Sequence, residues 1–211
     1  MTHRACWVAL EGPCCAGKTT LGRGLLRALS DLSVVYVPCY ADHVGGGRFL
    51  PRPVPSSLAE DIAALQELLD VESARTVCAW SRPHDVVVMD RSVHTLLAHR
   101  YALETITTLT LFSPARRLLT SSAIPRWPDL VLYLDLPQEA IPDRNNGKFG
   151  EDNVLIDPQY NAGVRSYFEV LAGSGQPLPV WMNATLDPTE LQNTAEIQIR
   201  SILDRTNHTR H

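Results

Sequence analysis

The stretch Gly12-Pro13-Cys14-Cys15-Ala16-Gly17-Lys18-Thr19 places two glycines around four residues and follows them directly with lysine and threonine. That is the G-x-x-x-x-G-K-[ST] pattern of a phosphate-binding loop. Its backbone N–H groups cradle phosphate oxygens, Lys18 adds a point charge, and Thr19 offers a hydroxyl to Mg²⁺. The pattern commits the chain to a nucleoside triphosphate. Working outward, Ala5-Cys6-Trp7-Val8-Ala9-Leu10 is a short apolar run suited to a buried strand. Beyond Thr20, Leu21, Leu25, Ala28, Leu29 and Leu32 recur at helical spacing, with Arg23, Arg27 and Asp31 on the other face. Strand, glycine loop and helix are the context the motif demands, and a helix N-terminus attracts phosphate in its own right.

Further strand-like runs lie at 33–37, 86–89, 130–134 and 178–182. Between them, helical periodicity is carried by Leu58, Ile62, Leu65 and Leu69, then by Tyr160, Val164, Phe168 and Leu171. Leu191, Ala195, Ile199 and Ile202 carry it at the end of the chain. Strands alternating with helices predict an α/β fold with a mostly parallel sheet covered on both faces, its ligands gathered at the carboxyl ends of the strands. No repeat or break in composition divides the 211 residues, so residues 1–211 are expected to form one domain.

The 19 basic and 23 acidic residues give a net charge of −4 without a basic block, which argues against a nucleic-acid binder. No apolar run reaches membrane-spanning length, and the N-terminal run is too short for a signal sequence. The five cysteines, at 6, 14, 15, 39 and 78, form no C-x-x-C pair and no metal-ligand spacing. Two of them lie in the phosphate loop, and the odd count speaks for a reducing, cytoplasmic setting.

Two stretches resist packing. Residues 40–57 contain Gly45-Gly46-Gly47, Pro51, Pro53 and Pro55, together with Asp42, His43, Arg48 and Arg52. Residues 145–150 interrupt a helix-like region and carry Lys148, just after Arg144. Either is an ordinary connection or a functional loop. Two strands end in a carboxylate, Asp90 and Asp135. Mg²⁺ takes oxygen ligands, so each competes to be the acid beside the phosphate loop. Arg91 follows Asp90 directly, and an acid and a cation together suit a metal and a substrate anion. Asp135 precedes Leu136-Pro137-Gln138-Glu139 and reads as a helix cap. Asp90 is therefore favoured. Tyr40, Phe49 and Tyr101 are candidates to stack on a base, whereas Trp7 and Trp80 read as packing.

Taken in order, Glu11-Gly12 through Gly17-Lys18-Thr19-Thr20, Asp90-Arg91-Ser92 and Pro128-Asp129-Leu130-Val131-Leu132-Tyr133-Leu134-Asp135 resemble thymidylate kinase and its deoxynucleoside kinase relatives. Val164-Arg165-Ser166-Tyr167 and Asn183-Ala184 extend the resemblance over nearly the whole chain. It implies a P-loop kinase fold, a five-stranded parallel sheet flanked by helices, with a lid at about 142–156. By the same resemblance Gly12, Pro13, Cys14, Cys15, Ala16, Gly17, Lys18, Thr19 and Thr20 would hold ATP, and Thr19 and Asp90 would hold Mg²⁺. Arg91 would grip the acceptor, with Tyr40, Asp42, His99 and Arg100 around it. Arg144 and Lys148 would be lid cations that neutralise charge on the transferring group, which is plausible because phosphoryl transfer is mainly positioning and electrostatics.

The departures bear on the acceptor. Cys14 stands where thymidylate kinases usually carry a carboxylate. Val37-Pro38-Cys39-Tyr40-Ala41-Asp42 replaces their Arg-Glu-Pro-Gly-Gly run, Ser92 replaces a tyrosine, and His99-Arg100 replaces a Tyr-Gln pair. Ser92 leans toward the deoxynucleoside kinases, which also carry an acid after the second strand as general base, a place open to Asp42. The expected activity is ATP-dependent phosphoryl transfer to a nucleoside monophosphate or similar small molecule. A nucleoside kinase acting on a 5′-hydroxyl is the alternative, and a non-catalytic nucleotide-binding regulator stands in another class. The expected partner is a small nucleotide or nucleoside, with neither nucleic acid nor membrane, and a homodimer is an admissible assembly.

Overall fold

A computed structural model describes residues 4–123, 126–172 and 178–208. Strand β1 (Cys6–Glu11) leads through the glycine loop into helix α1 (Lys18–Ala28), and β2 (Val34–Val37) follows. A short helix α2 (Tyr40–His43) and a single 3₁₀ turn (Gly47–Phe49) precede the long α3 (Leu58–Trp80). Next come β3 (Val86–Asp90), α4 (Val93–Ile106), α5 (Phe112–Ser121) and β4 (Leu130–Asp135). A 3₁₀ turn (Gln138–Ala140), α6 (Ile141–Asn145) and a second such turn (Val154–Ile156) fill the segment before α7 (Pro158–Ala172). Strand β5 (Val180–Asn183) and α8 (Pro188–His208) close the described chain.

All five strands are parallel, in the order β2-β3-β1-β4-β5. The expectation of a five-stranded parallel sheet covered on both faces is met. Alternate residues of β1 divide between the two covers. Val8 and Leu10 pack with Leu21, Leu25, Leu191 and Ile199 on the α1 and α8 side. Ala9 packs with Val93, Leu97, Val164 and Phe168 on the α4 and α7 side. Burying one such aliphatic side chain stabilises by about 1.5–3 kcal/mol, so neither face can be uncovered cheaply. Because β1 lies between β3 and β4, the loop after it and the end of β3 open side by side at the carboxyl edge of the sheet.

Three elements depart from the expectations. Helix α3 runs eleven residues beyond Leu69, because its buried stripe continues through Glu72, Thr76 and Ala79 with polar side chains that hide the periodicity. Helix α5, not anticipated, buries only Ala115 and Leu119 fully. Asp135 caps no helix: the turn after β4 begins at Pro137, and Asp135 instead accepts from Arg165 at 3.3 Å.

Candidate active site

The glycine loop leaves β1 at Gly12, whose φ is 127°. A Cβ built there would stand 2.4 Å from the Leu134 carbonyl oxygen, so both the angle and the approach to β4 exclude a side chain. Lys18 opens α1, is buried, and donates from Nζ to the carbonyl oxygens of Gly12 at 3.1 Å and Pro13 at 2.5 Å. Burial and the nearby Arg91 bring its pKa down to about 8. Thr19 donates its hydroxyl to Asp90 Oδ2 at 2.5 Å, and the Tyr36 hydroxyl donates to the same oxygen at 3.0 Å. Tyr36 reaches this position across the face of α1 because Gly22 lacks a side chain; a Cβ there would lie 2.4 Å from the Tyr36 ring.

Beyond Asp90 the chain turns sharply. Arg91 has a φ of 69°, a left-handed conformation that costs a non-glycine residue about 1–2 kcal/mol. Its N–H donates to the Leu10 carbonyl at 3.0 Å, and its guanidinium reaches Cys14 Sγ at 3.6 Å. Ser92 then caps α4, its hydroxyl oxygen accepting from the His94 N–H at 3.1 Å. The same hydroxyl donates to Glu11 Oε1 at 2.7 Å, and the Ser92 N–H donates to that oxygen at 2.9 Å. Thr95 donates to Glu11 Oε2 at 2.5 Å. Burial pushes the Glu11 carboxyl up, against the pull of these donors and of Arg91.

Among the described residues three non-glycine positions have positive φ: Cys15 at 65°, Arg91 at 69° and Asn146 at 46°. They fall in the glycine loop, at the end of β3 and in the segment expected to be a lid. Strain of this kind persists only where the surroundings hold it. Arg144 and Lys148 are exposed on that segment, with Lys148 Nζ 5.4 Å from the centre of the Phe149 ring. Burial and Cys14 push the Cys15 thiol up, while Lys148, Lys18 and Arg144 pull it down, so both cations act on the glycine loop.

The acceptor-side candidates are more dispersed. Asp42 is exposed on α2, where its N–H donates to Cys39 Sγ at 3.5 Å. Burial raises the Cys39 thiol, against the pull of the Asp42 N–H and of Arg91. Tyr40 is buried with its ring beneath the Arg75 guanidinium, 4.1 Å away, and is engaged there rather than free to stack. Phe49 is exposed beside Arg48, and Tyr101 packs edge-on to Phe112. Arg100 is buried in an ion pair with Asp61 at 3.0 Å and donates to the Leu96 carbonyl, so its charge is matched within the protein. His99 shares hydrogen bonds with the Tyr160 hydroxyl and the Pro53 carbonyl oxygen, both at 2.7 Å. Burial holds its pKa down to about 3. Thr20 is exposed.

Asp90 and Thr19 form a hard-oxygen pair of the kind Mg²⁺ prefers. Among the described residues no three His, Cys, Asp or Glu side chains gather to hold a metal. Tyr36, Glu11 as an anchor, and Arg75 escaped the sequence reading. Of these only Arg75 leaves a signal, as a charged residue beside the buried stripe of α3.

No protein-family model matches the sequence, and no curated protein sequence matches it either. Solved structures do. Thymidylate kinase from Candida albicans superposes with a TM-score of 0.71 at 17% identity, over 95% of this chain and 93% of that one. Deoxyadenosine kinase from M. mycoides, solved with bound dATP, superposes with a TM-score of 0.64 at 15% identity, over 92% and 99%. The fold is that of these kinases. It bears out the P-loop kinase fold that the glycine loop, Asp90-Arg91-Ser92 and β4 imply. Among the described residues no helix is long and apolar enough to cross a membrane.

Proposed function

We propose that this chain is an ATP- and Mg²⁺-dependent kinase that moves the γ-phosphoryl group to a nucleoside monophosphate or a similar small molecule. The observation that carries the reading is the Thr19–Asp90 pair at 2.5 Å, placed between the glycine loop and the left-handed Arg91. The loop residues Gly12 to Thr20 would hold the ATP phosphates. Lys18, now turned onto the Gly12 and Pro13 carbonyls, would exchange them for phosphate oxygens. Mg²⁺, bound by Thr19 and Asp90, would neutralise charge between the outer phosphates. Arg91 offers a planar fork suited to an acceptor phosphate, and Arg144 and Lys148 would bring positive charge down from the lid.

Phosphoryl transfer to an existing phosphate needs no strong base, whereas transfer to a hydroxyl gains about 10²–10⁴-fold from one. The nucleoside-kinase reading is favoured by one specific observation: Asp42, the only acid on α2, is exposed on the short helix that follows β2. ADP release measured against a panel of nucleosides and nucleoside monophosphates tests both. Turnover with a monophosphate supports the first reading, and turnover with nucleosides alone replaces it by the second. Nucleotide binding without turnover on any acceptor overturns the catalytic reading in favour of a regulator.

A further inference from the structure

We infer that Arg75, on α3, is a positioning residue that holds the ends of β2 and β3 in their working geometry; the inference rests on the kinase reading above. Its side chain is fully buried. Nε donates to Glu72 Oε2 at 2.7 Å, which balances the charge within α3. One terminal nitrogen donates to the Pro38 carbonyl at 2.7 Å and to the Asp90 carbonyl at 3.2 Å. The other donates to the Arg91 carbonyl at 2.5 Å. A single planar group therefore binds the strand ends from which the metal acid, the acceptor arginine and the α2 segment all depart.

Arg91 shows why this matters. Its left-handed backbone is held at two points, by its own N–H on Leu10 and by Arg75 on its carbonyl. Without the second tie, the peptide after Asp90 is free to relax toward negative φ, which re-aims the Arg91 side chain away from Cys14. The stacked Tyr40 ring fixes the plane of the fork and carries α2 with it. Lysine cannot substitute, since one ammonium cannot meet three carbonyls and a carboxylate in a plane. A residue that only filled the core would affect stability and leave the turnover of folded molecules alone.

The test compares the full-length parental chain with Arg75→Lys and Arg75→Gln. The measurements are thermal melting, ADP binding with and without Mg²⁺, and steady-state kinetics on the acceptor the parental chain turns over best. A displacement of the site of about 1 Å lowers rate by about 100-fold, and a kcat loss of that size is expected in a variant that still melts cooperatively. ADP affinity without Mg²⁺ should stay within twofold, because the glycine loop is untouched. A folded variant with parental kcat overturns the inference. So does a defect confined to the acceptor's KM, which would make Arg75 a direct ligand. If both variants fail to fold, Arg75 is a core residue with no separable role, and the inference falls. Absence of Mg²⁺-dependent ADP binding or turnover in the parental chain removes the kinase reading and this inference with it, and is read without any variant.

Discussion

Under the proposed reading, the phosphate end and the acceptor end of the site are built by opposite rules. At the phosphate end, Lys18, Thr19 and Asp90 come from one contiguous loop and the strand beside it; Lys18 donates to loop carbonyls and Thr19 to Asp90. At the acceptor end, Asp42, Tyr40, His99 and Arg100 come from separate elements, and most are already partnered within the protein. Triphosphates are chemically alike, so one backbone solution serves them all. Acceptors differ, and the side chains that meet them are free to differ too. A resemblance read from motifs is accordingly strong at one end and thin at the other.

The comparison is broken most severely by Lys18→Ala. Removing the cation proposed for the transferring phosphates should lower transfer on the order of 10³-fold with the fold intact. Circular dichroism and ADP release check both halves, and near-parental turnover in a folded variant removes the phosphate-end assignment.

Asp90→Asn should weaken Mg²⁺ activation by about 10–100-fold, as loss of a metal-supporting group generally does. Asp135→Asn should only loosen the exposed pair with Arg165 and leave Mg²⁺ titrations unchanged. The reverse ordering would move the metal site to β4.

The acceptor end is sharpened by comparing Arg91→Lys with Asp42→Asn on the best acceptor. A phosphate acceptor predicts a loss of about tenfold or more in kcat/KM from the arginine change, the worth of one charge-assisted hydrogen bond, and little from Asp42. A hydroxyl acceptor predicts that Asp42→Asn is the damaging substitution.

Proton linkage separates the two ends more gently. Lys18 titrates near 8 in the free protein, and phosphate would raise that value. Above pH 8 binding must therefore take up a proton, and ADP affinity should fall by up to about tenfold per pH unit. Calorimetric titrations at pH 7, 8 and 9 read the slope; a flat profile would mean that Lys18 is not at the phosphates.

The smallest effect is on stability. His94 is buried against the Tyr167 hydroxyl, and burial lowers its pKa to about 4. The unfolded chain, titrating near 6.5, then binds more protons between these values. The stability that the neutral imidazole contributes is whole above pH 6.5 and is lost on acidification, by about 2 kcal/mol at pH 5. His94→Gln should remove that increment, read as a smaller difference between urea midpoints at pH 7 and pH 5. Glu11, raised by burial, works in the opposite sense in both proteins and drops out of the comparison.

The parallel sheet was legible because its three central strands are buried on both faces and read as unbroken apolar runs, as in Val86-Val87-Val88-Met89. The glycine loop was legible because a phosphate cradle requires particular residues at particular spacings; no such spacing separates Asp90 from Asp135, which end their strands alike. Tyr36 was not legible, since nothing local says that a tyrosine on an edge strand will cross to the acid of its neighbour. Arg75 showed only as a charge beside the α3 stripe, because the Pro38, Asp90 and Arg91 carbonyls it binds leave no mark in a sequence. Arg100 was read as part of the acceptor surface, but its partner Asp61 lies thirty-nine residues away on another helix, beyond any periodicity.

Gly22 stands out against this background as a lever. The Tyr36 ring occupies the space a methyl group would need there, and the far end of that ring holds Asp90. A chain under pressure to change its appetite for cations need not touch the carboxylate at all. Adding one carbon on α1, three residues along from Thr19, would nudge the phenol and free an oxygen lone pair on Asp90. Mutational searches that look only at the lining of the site would pass over the position with the finest control of it.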